Sequence, residues 1–300
     1  MHQTAAEQEI LSRGWVRQVR WFSEIDSTNA AARRELQSGT PYPIPALLIA
    51  DRQTAGRGRS NRTWWSPSGC LMLTLVLPGD ALPSESNLWS QLALVCGQAV
   101  AHTAAHALTP ESLIAPPIKR LHTANNALTP ESLIAPPIKC LHAANNAFSR
   151  HEVQLKWPND VYANHRKLAG ILIESAPAGH WLVGIGLNVD IDWRQAPAEI
   201  ASKATCLSSL AGHPLEPSVV LVELVEELQS MIALWRAGDN SWLTQWRQRC
   251  LLTGRVVHVR LSPDQQLIGV CEGLDATGRL IVRGENSVQF LSAGEVVGWQ

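Results

Sequence analysis

Apolar and polar positions change their period along this chain, and each change marks an element. Residues 16–25, VRQVRWFSEI, alternate loosely and predict a strand. In the next segment, DSTNAAARRELQSG (26–39), Ser27 or Thr28 can cap a helix running through Ala30–Leu36, and Gly39 can end it. Two apolar runs, ALLIA (46–50) and CLMLTLVLP (70–78), predict buried strands, and the helical spacing from Leu88 to His106 predicts a helix lying on the sheet. VQLKWPND (153–160) reads as a strand ending in a Pro-Asn turn, and VYANHRKLAGILIES (161–175) as a hairpin turning at Asn164-His165. HWLVGIGLNVD (180–190) is a further strand, in which Gly184 and Gly186 permit close backbone approach. An amphipathic helix over 217–238 and a shorter one over 240–250 follow.

Beyond Leu252 the texture becomes short strands between Gly and Asp turns: GRVVHVRL, QLIGVCEGLD, GRLIVRG and VQFLSAGEVVGW. This pattern predicts a small β-barrel or sandwich appended to an α/β domain, with residues 1–252 forming the first unit and 253–300 the second. One stretch has a different character. ALTPESLIAPPIKRLHTANN (107–126) is repeated as 127–146 with changes only at Arg120/Cys140 and Thr123/Ala143. Stacked repeats need about three copies and diverge, so two near-identical copies predict a tandem duplication inside one loop, without chemistry of its own.

Composition narrows the function classes. A formal net charge of −1 excludes a general electrostatic grip on nucleic acid or anionic lipid, so any positive site must be local. The six cysteines show no metal-ligand spacing and predict reduced thiols of a cytoplasmic protein with no structural metal. MHQTAAEQEI has no secretory-signal pattern, and no apolar run has the length of a membrane span. The twelve tryptophans read mainly as packing residues.

The concentrated charge lies in DRQTAGRGRSNRTWWSPSG (51–69), after a predicted strand, where α/β proteins commonly place ligands. It lacks the GxxxxGK[ST] pattern of a P-loop. Gly56 and Gly58 let backbone N–H groups face an anion, and Arg57, Arg59 and Arg62 offer forked donors to phosphate oxygens. Alone, the loop leaves three readings open: a phosphate cradle, a nucleic-acid patch, or an exposed charged turn. Lys156, at a strand end beside a Pro-stiffened turn, is placed to act as a point charge on a phosphoryl or carboxyl oxygen. Trp157 reads as packing. Asn159 and Asp160 either bond their own turn or orient a ligand. Lys167 with Gly170, and Gly184–Asn188, read either as punctuation or as site.

Taken in order, DSTN, QTAGRGRSNRTWWSPSGCL, KWPNDVY, RKLAGILIE and GIGLNV resemble the biotin protein ligases over residues 18–210, apart from the duplicated loop. The resemblance implies an α+β fold, a mixed sheet with flanking helices like a class II tRNA synthetase core, followed by an SH3-like C-terminal barrel. It implies an enzyme, a biotin–[biotin carboxyl-carrier protein] ligase, that converts biotin and ATP to biotinyl-5′-AMP. The biotin is then transferred to a lysine of a biotin carboxyl carrier domain of a carboxylase such as acetyl-CoA carboxylase. Mg²⁺ would accompany ATP. Carried over by motif, Ser27, Thr28, Asn29 and Gln53 line the biotin end. Gly56, Arg57, Gly58 and Arg59 belong to a loop that closes over the ligand, continued by Arg62 and Trp64. Lys156 contacts carboxylate and phosphoryl oxygens; Lys156, Arg57 and Arg59 are the catalytic set. Asn159, Lys167, Gly170, Gly186 and Asn188 complete the binding set.

Two departures from the family pattern carry expectations. About 15 residues precede the first strand, too few for the N-terminal winged helix of the repressor-type members, so no operator DNA binding is expected. Asn61 stands where the family usually has Gly; Asn tolerates a left-handed backbone, so a small effect on the loop is expected. The resemblance leaves a homodimer paired through the central sheet open. The rival readings are a lipoate or octanoyl ligase-like enzyme and a non-catalytic binding protein.

Overall fold

The computed structural model describes residues 2–39, 42–81, 89–109 and 152–300. The expectation for the duplicated segment lies outside the described residues from Pro110 onward.

A helix the pattern reading did not name, α1 (His2–Ser12), comes first; Ala6 and Ile10, four positions apart, face the core. The central sheet is built from β1 (Gln18–Phe22), β2 (Ala46–Ala50), β3 (Cys70–Leu77), β4 (Val153–Lys156), β5 (Asp160–Ala163), β6 (Arg166–Ser175) and β7 (Trp181–Asn188). Its order is β1-β2-β3-β7-β6-β5-β4, and only the β1–β2 pair is parallel. Helices α2 (Thr28–Gln37) and α3 (Trp89–Ala107) flank it. Short helices α4 (Ala198–Ala201) and α5 (Leu207–Ala211) lead to α6 (Pro217–Arg236) and α7 (Ser241–Gln248). The expected α+β architecture, a mixed sheet with flanking helices, is thus observed.

The run CLMLTLVL is apolar throughout because β3 is buried on both faces. Leu71, Leu73, Leu75 and Leu77 join Val183, Ile185 and Leu187 of β7 in the main core, against α3 and α6. The alternate residues of β3 face the other way, where Ala31 and Ala32 of α2 pack on Ala46, Leu48 and Val76. This second face carries the site.

Five further strands, β8 (Val256–Ser262), β9 (Gln265–Leu274), β10 (Leu280–Arg283), β11 (Val288–Leu291) and β12 (Glu295–Trp299), form an antiparallel sheet ordered β11-β10-β9-β8-β12. The backbone after α7 covers the outer edge of β4: Leu155 N–H donates to Arg249 O at 2.8 Å, and Leu251 N–H to Leu155 O at 2.9 Å. That pairing brings the smaller sheet beside Lys156. Among the described residues five cysteines are free thiols, four of them buried.

Two local expectations change. Ser27 occupies the cap position of α2, but neither its hydroxyl nor that of Thr28 caps the helix. Gln53 does so from a neighbouring loop, its Oε1 accepting the Thr28 N–H at 2.8 Å. In the arginine loop the left-handed residue is Ser60 (φ 54°, ψ 41°), beside Asn61 rather than at it. The hairpin turn at Asn164-His165 is as expected, with φ of 49° and 62°.

Candidate functional site

Strand register sets one row of side chains on the second face. Met72 of β3 pairs with Gly186, Gly186 with Gly170, Gly170 with Asp160, and Asp160 with Lys156. In the next row Thr74 pairs with Gly184 and Gly184 with Leu172. The glycines make this part of the sheet a trough. A Cβ on Gly184 would lie 2.6 Å from Asn29 Oδ1, and one on Gly186 only 2.5 Å from the Trp64 ring.

The arginine loop lies over the trough as a small hairpin. Trp64 N–H donates to Gly56 O at 2.9 Å and Gly58 N–H to Arg62 O at 2.7 Å, with Ser60 at the tip. Gly56 is needed for close approach, since a Cβ there would meet Trp64 O and Ser66 Oγ at 2.6 Å; Gly58 has ordinary clearance, 3.6 Å to Arg62 O.

Together these elements enclose a cavity lined by Ser27, Thr28, Asn29, Gln53, Arg57, Gly58, Arg59, Arg62, Trp64, Lys156, Asn159, Lys167, Gly170 and Gly186. Two residues of the expected set stand apart. Gly56 borders an adjoining groove, and Asn188 packs outside the cavity, donating to Thr205 O at 2.9 Å.

The cavity has two chemically different ends. At one, a polar network is satisfied within itself. Thr74 Oγ1 lies 2.6 Å from Asn29 Oδ1, to which it donates, and 2.8 Å from Thr28 Oγ1. Asn29 Nδ2 donates to Glu174 Oε2 at 2.7 Å, and Gln53 Nε2 reaches Ser66 Oγ at 3.4 Å. Such a network fixes donors and acceptors in place for a polar ligand group. Below it, Arg34 grips Asp26 with two bonds of 2.7 and 2.8 Å, holding that carboxyl at a pKa of about 2 and anchoring the start of α2.

At the other end the cavity is strongly cationic. Arg57, Arg59, Arg62, Lys156 and Lys167 line it against only two carboxylates, Asp160 and Glu295. Asp160 is taken mainly by Lys167 at 2.7 Å, while Lys156 Nζ stands 3.9 Å away. Glu295 pairs with Arg62 and, at 3.6 Å, with Arg260. Arg59 donates to Asn159 Oδ1 at 3.2 Å and to Gly294 O at 3.1 Å. Asn159 is oriented in turn by its own bond to Ile171 O at 2.7 Å. Lys156 is only 8% exposed and donates to Val296 O at 3.0 Å. Burial lowers its pKa from the usual lysine value to about 8; Asp160 opposes the shift, and Lys167, Arg62 and Arg59 add to it. Trp157 is buried in the main core.

Several contributors were missed or left open from sequence. Thr74 had a signal, a hydroxyl inside an otherwise apolar buried strand, which requires a partner. Glu174 and the β12 residues Glu295, Val296 and Trp299 had none, because they reach the site only through tertiary contact. Asp160 proves to line the cavity and to pair with Lys167, with Lys156 3.9 Å away.

Comparison with known proteins gives the family. Residues 21–192 match the model of the Biotin/lipoate A/B protein ligase family, and residues 253–298 match the Biotin protein ligase C terminal domain. The chain is 32% identical, over 95% of its length and 90% of the relative's, to the biotin–[acetyl-CoA-carboxylase] ligase of Mycobacterium tuberculosis. It is 27% identical, over 92% and 98%, to that of Paracoccus denitrificans. Its fold matches the Aquifex aeolicus biotin protein ligase solved with biotin and ATP, with a TM-score of 0.69, 24% identity, and 95% and 99% of the two chains covered. The two family models, matched in order, and the Mycobacterium tuberculosis relative show that the chain belongs to the biotin protein ligases of the Biotin/lipoate A/B protein ligase family.

Proposed function

We propose that this protein joins biotin to ATP in the cavity described, forming biotinyl-5′-AMP and pyrophosphate, and then transfers the biotin to a lysine of a biotin carboxyl carrier domain of acetyl-CoA carboxylase. The observation that carries the reading is the cavity's division into a self-satisfied polar end and an end with five cations against two carboxylates. Biotin has the same division: a polar ring system at one end and a carboxylate at the other. The carboxylate must approach a nucleotide phosphate, and two anions will do so only where positive charge outweighs negative.

In the first step a biotin carboxylate oxygen attacks the α-phosphorus, and the bond to pyrophosphate breaks. Lys156, fixed at the end of β4, stabilises charge on the carboxylate and phosphoryl oxygens; Arg57 and Arg59 supply forked donors from above. Trp64 and the hairpin exclude water from the mixed anhydride. In the second step the acceptor lysine nitrogen attacks the biotinyl carbonyl carbon, and AMP leaves. Asp160 and Glu295 are each already paired with cations, and no cluster of three metal-ligating side chains occurs among the described residues. This donor set suits Mg²⁺ that enters on the phosphates of ATP.

The test is transfer of labelled biotin to a carrier domain with ATP and Mg²⁺, together with ATP–pyrophosphate exchange driven by biotin or by lipoate. Exchange with biotin and not lipoate, followed by transfer, is expected. Exchange driven only by lipoate, or biotin binding without exchange, would overturn the reading.

A further inference from the structure

The counter-charge of Lys156 is incomplete. Among the described residues its ammonium has one acceptor at hydrogen-bonding distance, Val296 O at 3.0 Å. Asp160, the nearest carboxylate, is too far for a direct bond and is held by Lys167. A buried ammonium needs more support than one carbonyl. The structure supplies it from β12: Lys156 Nζ lies over the Trp299 ring, 5.0 Å from its centroid. That is within the range in which a cation is attracted to a π face, and tryptophan is the strongest of the aromatic partners. Tyr162 of β5 meets Trp299 edge-on, with centroids 5.8 Å apart, and so fixes the ring plane under the ammonium.

We propose that Trp299 is a positioning residue for adenylation: its ring holds the Lys156 ammonium charged and in place without adding a negative charge. The distinction matters for this reaction. A carboxylate at the position of Trp299 would stabilise Lys156 equally well, but it would cancel the positive charge that two incoming anions require. A π face and a backbone carbonyl are electrically neutral, so the ammonium keeps its full charge for the ligand. The other charged and titratable groups facing Lys156 are Asp160 and Tyr162 on β5, Lys167 on β6, Arg59 and Arg62 on the hairpin, and Glu295 on β12. None of them changes in the substitutions below. The proposal rests on the adenylation role given to Lys156, and its first measurement is independent of that role.

That measurement is the titration of Lys156 followed by NMR of its labelled Cε in the full chain, for the parent, Trp299→Phe and Trp299→Leu. The expected order of Lys156 pKa is parent, then Phe, then Leu, with the Leu variant about half a unit to one unit below the parent. The opposite sign is the decisive alternative. If the ring acted mainly by keeping water away, replacing it with Leu would hydrate the ammonium and raise the pKa. A rise, or no change in either variant, overturns the proposal. Should the Leu variant fail to fold, the Phe variant alone must still show a smaller fall. In the second measurement, kcat/KM for biotin-dependent ATP–pyrophosphate exchange, the alkaline limb should move downward by the same amount, with Phe restoring most of the Leu loss. A merely structural role would lower Tm without moving that limb. If exchange is absent in the parent, the function reading fails while the NMR titration still decides what Trp299 does.

Discussion

The arginine hairpin and the lysine row deliver positive charge to one cavity by opposite means. Lys156 is buried, in register with Asp160, Gly170, Gly186 and Met72 across five strands, so its backbone position is as fixed as the sheet. Arg57 and Arg62 are exposed, on a loop closed by a few backbone bonds and a surface ion pair to Glu295. Arg59 is intermediate: half-buried, with burial lowering its pKa, and anchored to both sheets through Asn159 and Gly294. A buried cation is costly but cannot drift from the reacting atoms; an exposed one costs little and must be brought into place. On the function proposed above, Lys156 is the group expected to stabilise the transition state, and the hairpin the part expected to capture and enclose the ligand.

The largest effect should come from the buried side. Lys156→Met is expected to cut single-turnover adenylate formation by about 10²–10³-fold, the loss typical of removing one preorganised transition-state donor. Its Tm should be unchanged or higher, because a desolvated charge has been replaced by an apolar chain of similar length. The pH sign follows from the same burial. Below a pKa of about 8 the ammonium is charged and active; above it the charge is lost. The kcat/KM of the parent should therefore fall on an alkaline limb near pH 8. A limb absent up to pH 10, or a Met variant with near-normal turnover, would reverse the comparison.

Next come the glycines, where trough and hairpin meet. Gly186→Ala drives a Cβ to 2.5 Å from the Trp64 ring, and Gly56→Ala drives one to 2.6 Å from a backbone oxygen. Each should cost roughly 1–3 kcal/mol, a fall in Tm of several degrees by differential scanning calorimetry. Gly58→Ala meets nothing closer than 3.6 Å and should leave Tm within about a degree. Equal losses at Gly56 and Gly58 would show that the hairpin is not packed as described.

The same contrast explains what could be read in the sequence. Buried, periodic features were legible: the two-sided β3, the Asn164-His165 turn, and Gly184 and Gly186 as places of close approach. The clustering of Arg57, Arg59 and Arg62 was legible too, but their inequality was not. Whether an arginine is buried, anchored or exposed depends on residues such as Asn159 and Gly294, which lie about 100 and 235 positions from Arg59. The cap of α2 was misread for a related reason: Ser27 has the right chemistry and position, yet Gln53 arrives from another segment and takes the Thr28 N–H. Helix α1 escaped because its apolar signal is only the Ala6–Ile10 pair. β12 carried no sign that its Val296 carbonyl and its Trp299 ring would meet Lys156.

Within the hairpin the arginines should rank by anchorage. Arg59→Ala frees Asn159 Oδ1 and Gly294 O as well as removing a ligand donor, and about a tenfold loss in adenylation kcat/KM is expected. Arg62→Ala removes an exposed pair with Glu295, worth about 0–1 kcal/mol, so Tm should stay within a degree or two and kcat/KM should fall less than about fivefold. Steady-state exchange assays on both variants check the order, and a larger loss at Arg62 would place the critical contact at the exposed end of the hairpin.

The smallest effect belongs to Asn61, beside the tip of the hairpin. Asn61 was expected to carry a left-handed backbone in place of glycine, but the left-handed residue is Ser60. Asn61→Gly therefore relieves no strain and only loosens the unfolded chain and the hairpin tip. It should lower stability by less than about 1 kcal/mol and leave the adenylation rate within about twofold. Ser60→Gly removes a side chain from a backbone conformation that costs a serine about 1–2 kcal/mol, partly offset by the greater freedom of glycine in the unfolded state. Its Tm should be equal or slightly higher. Thermal denaturation of the two variants side by side separates the cases. If Asn61→Gly stabilises and Ser60→Gly does not, the tip turns at Asn61 in solution, and the hairpin must shift its register relative to the glycine trough.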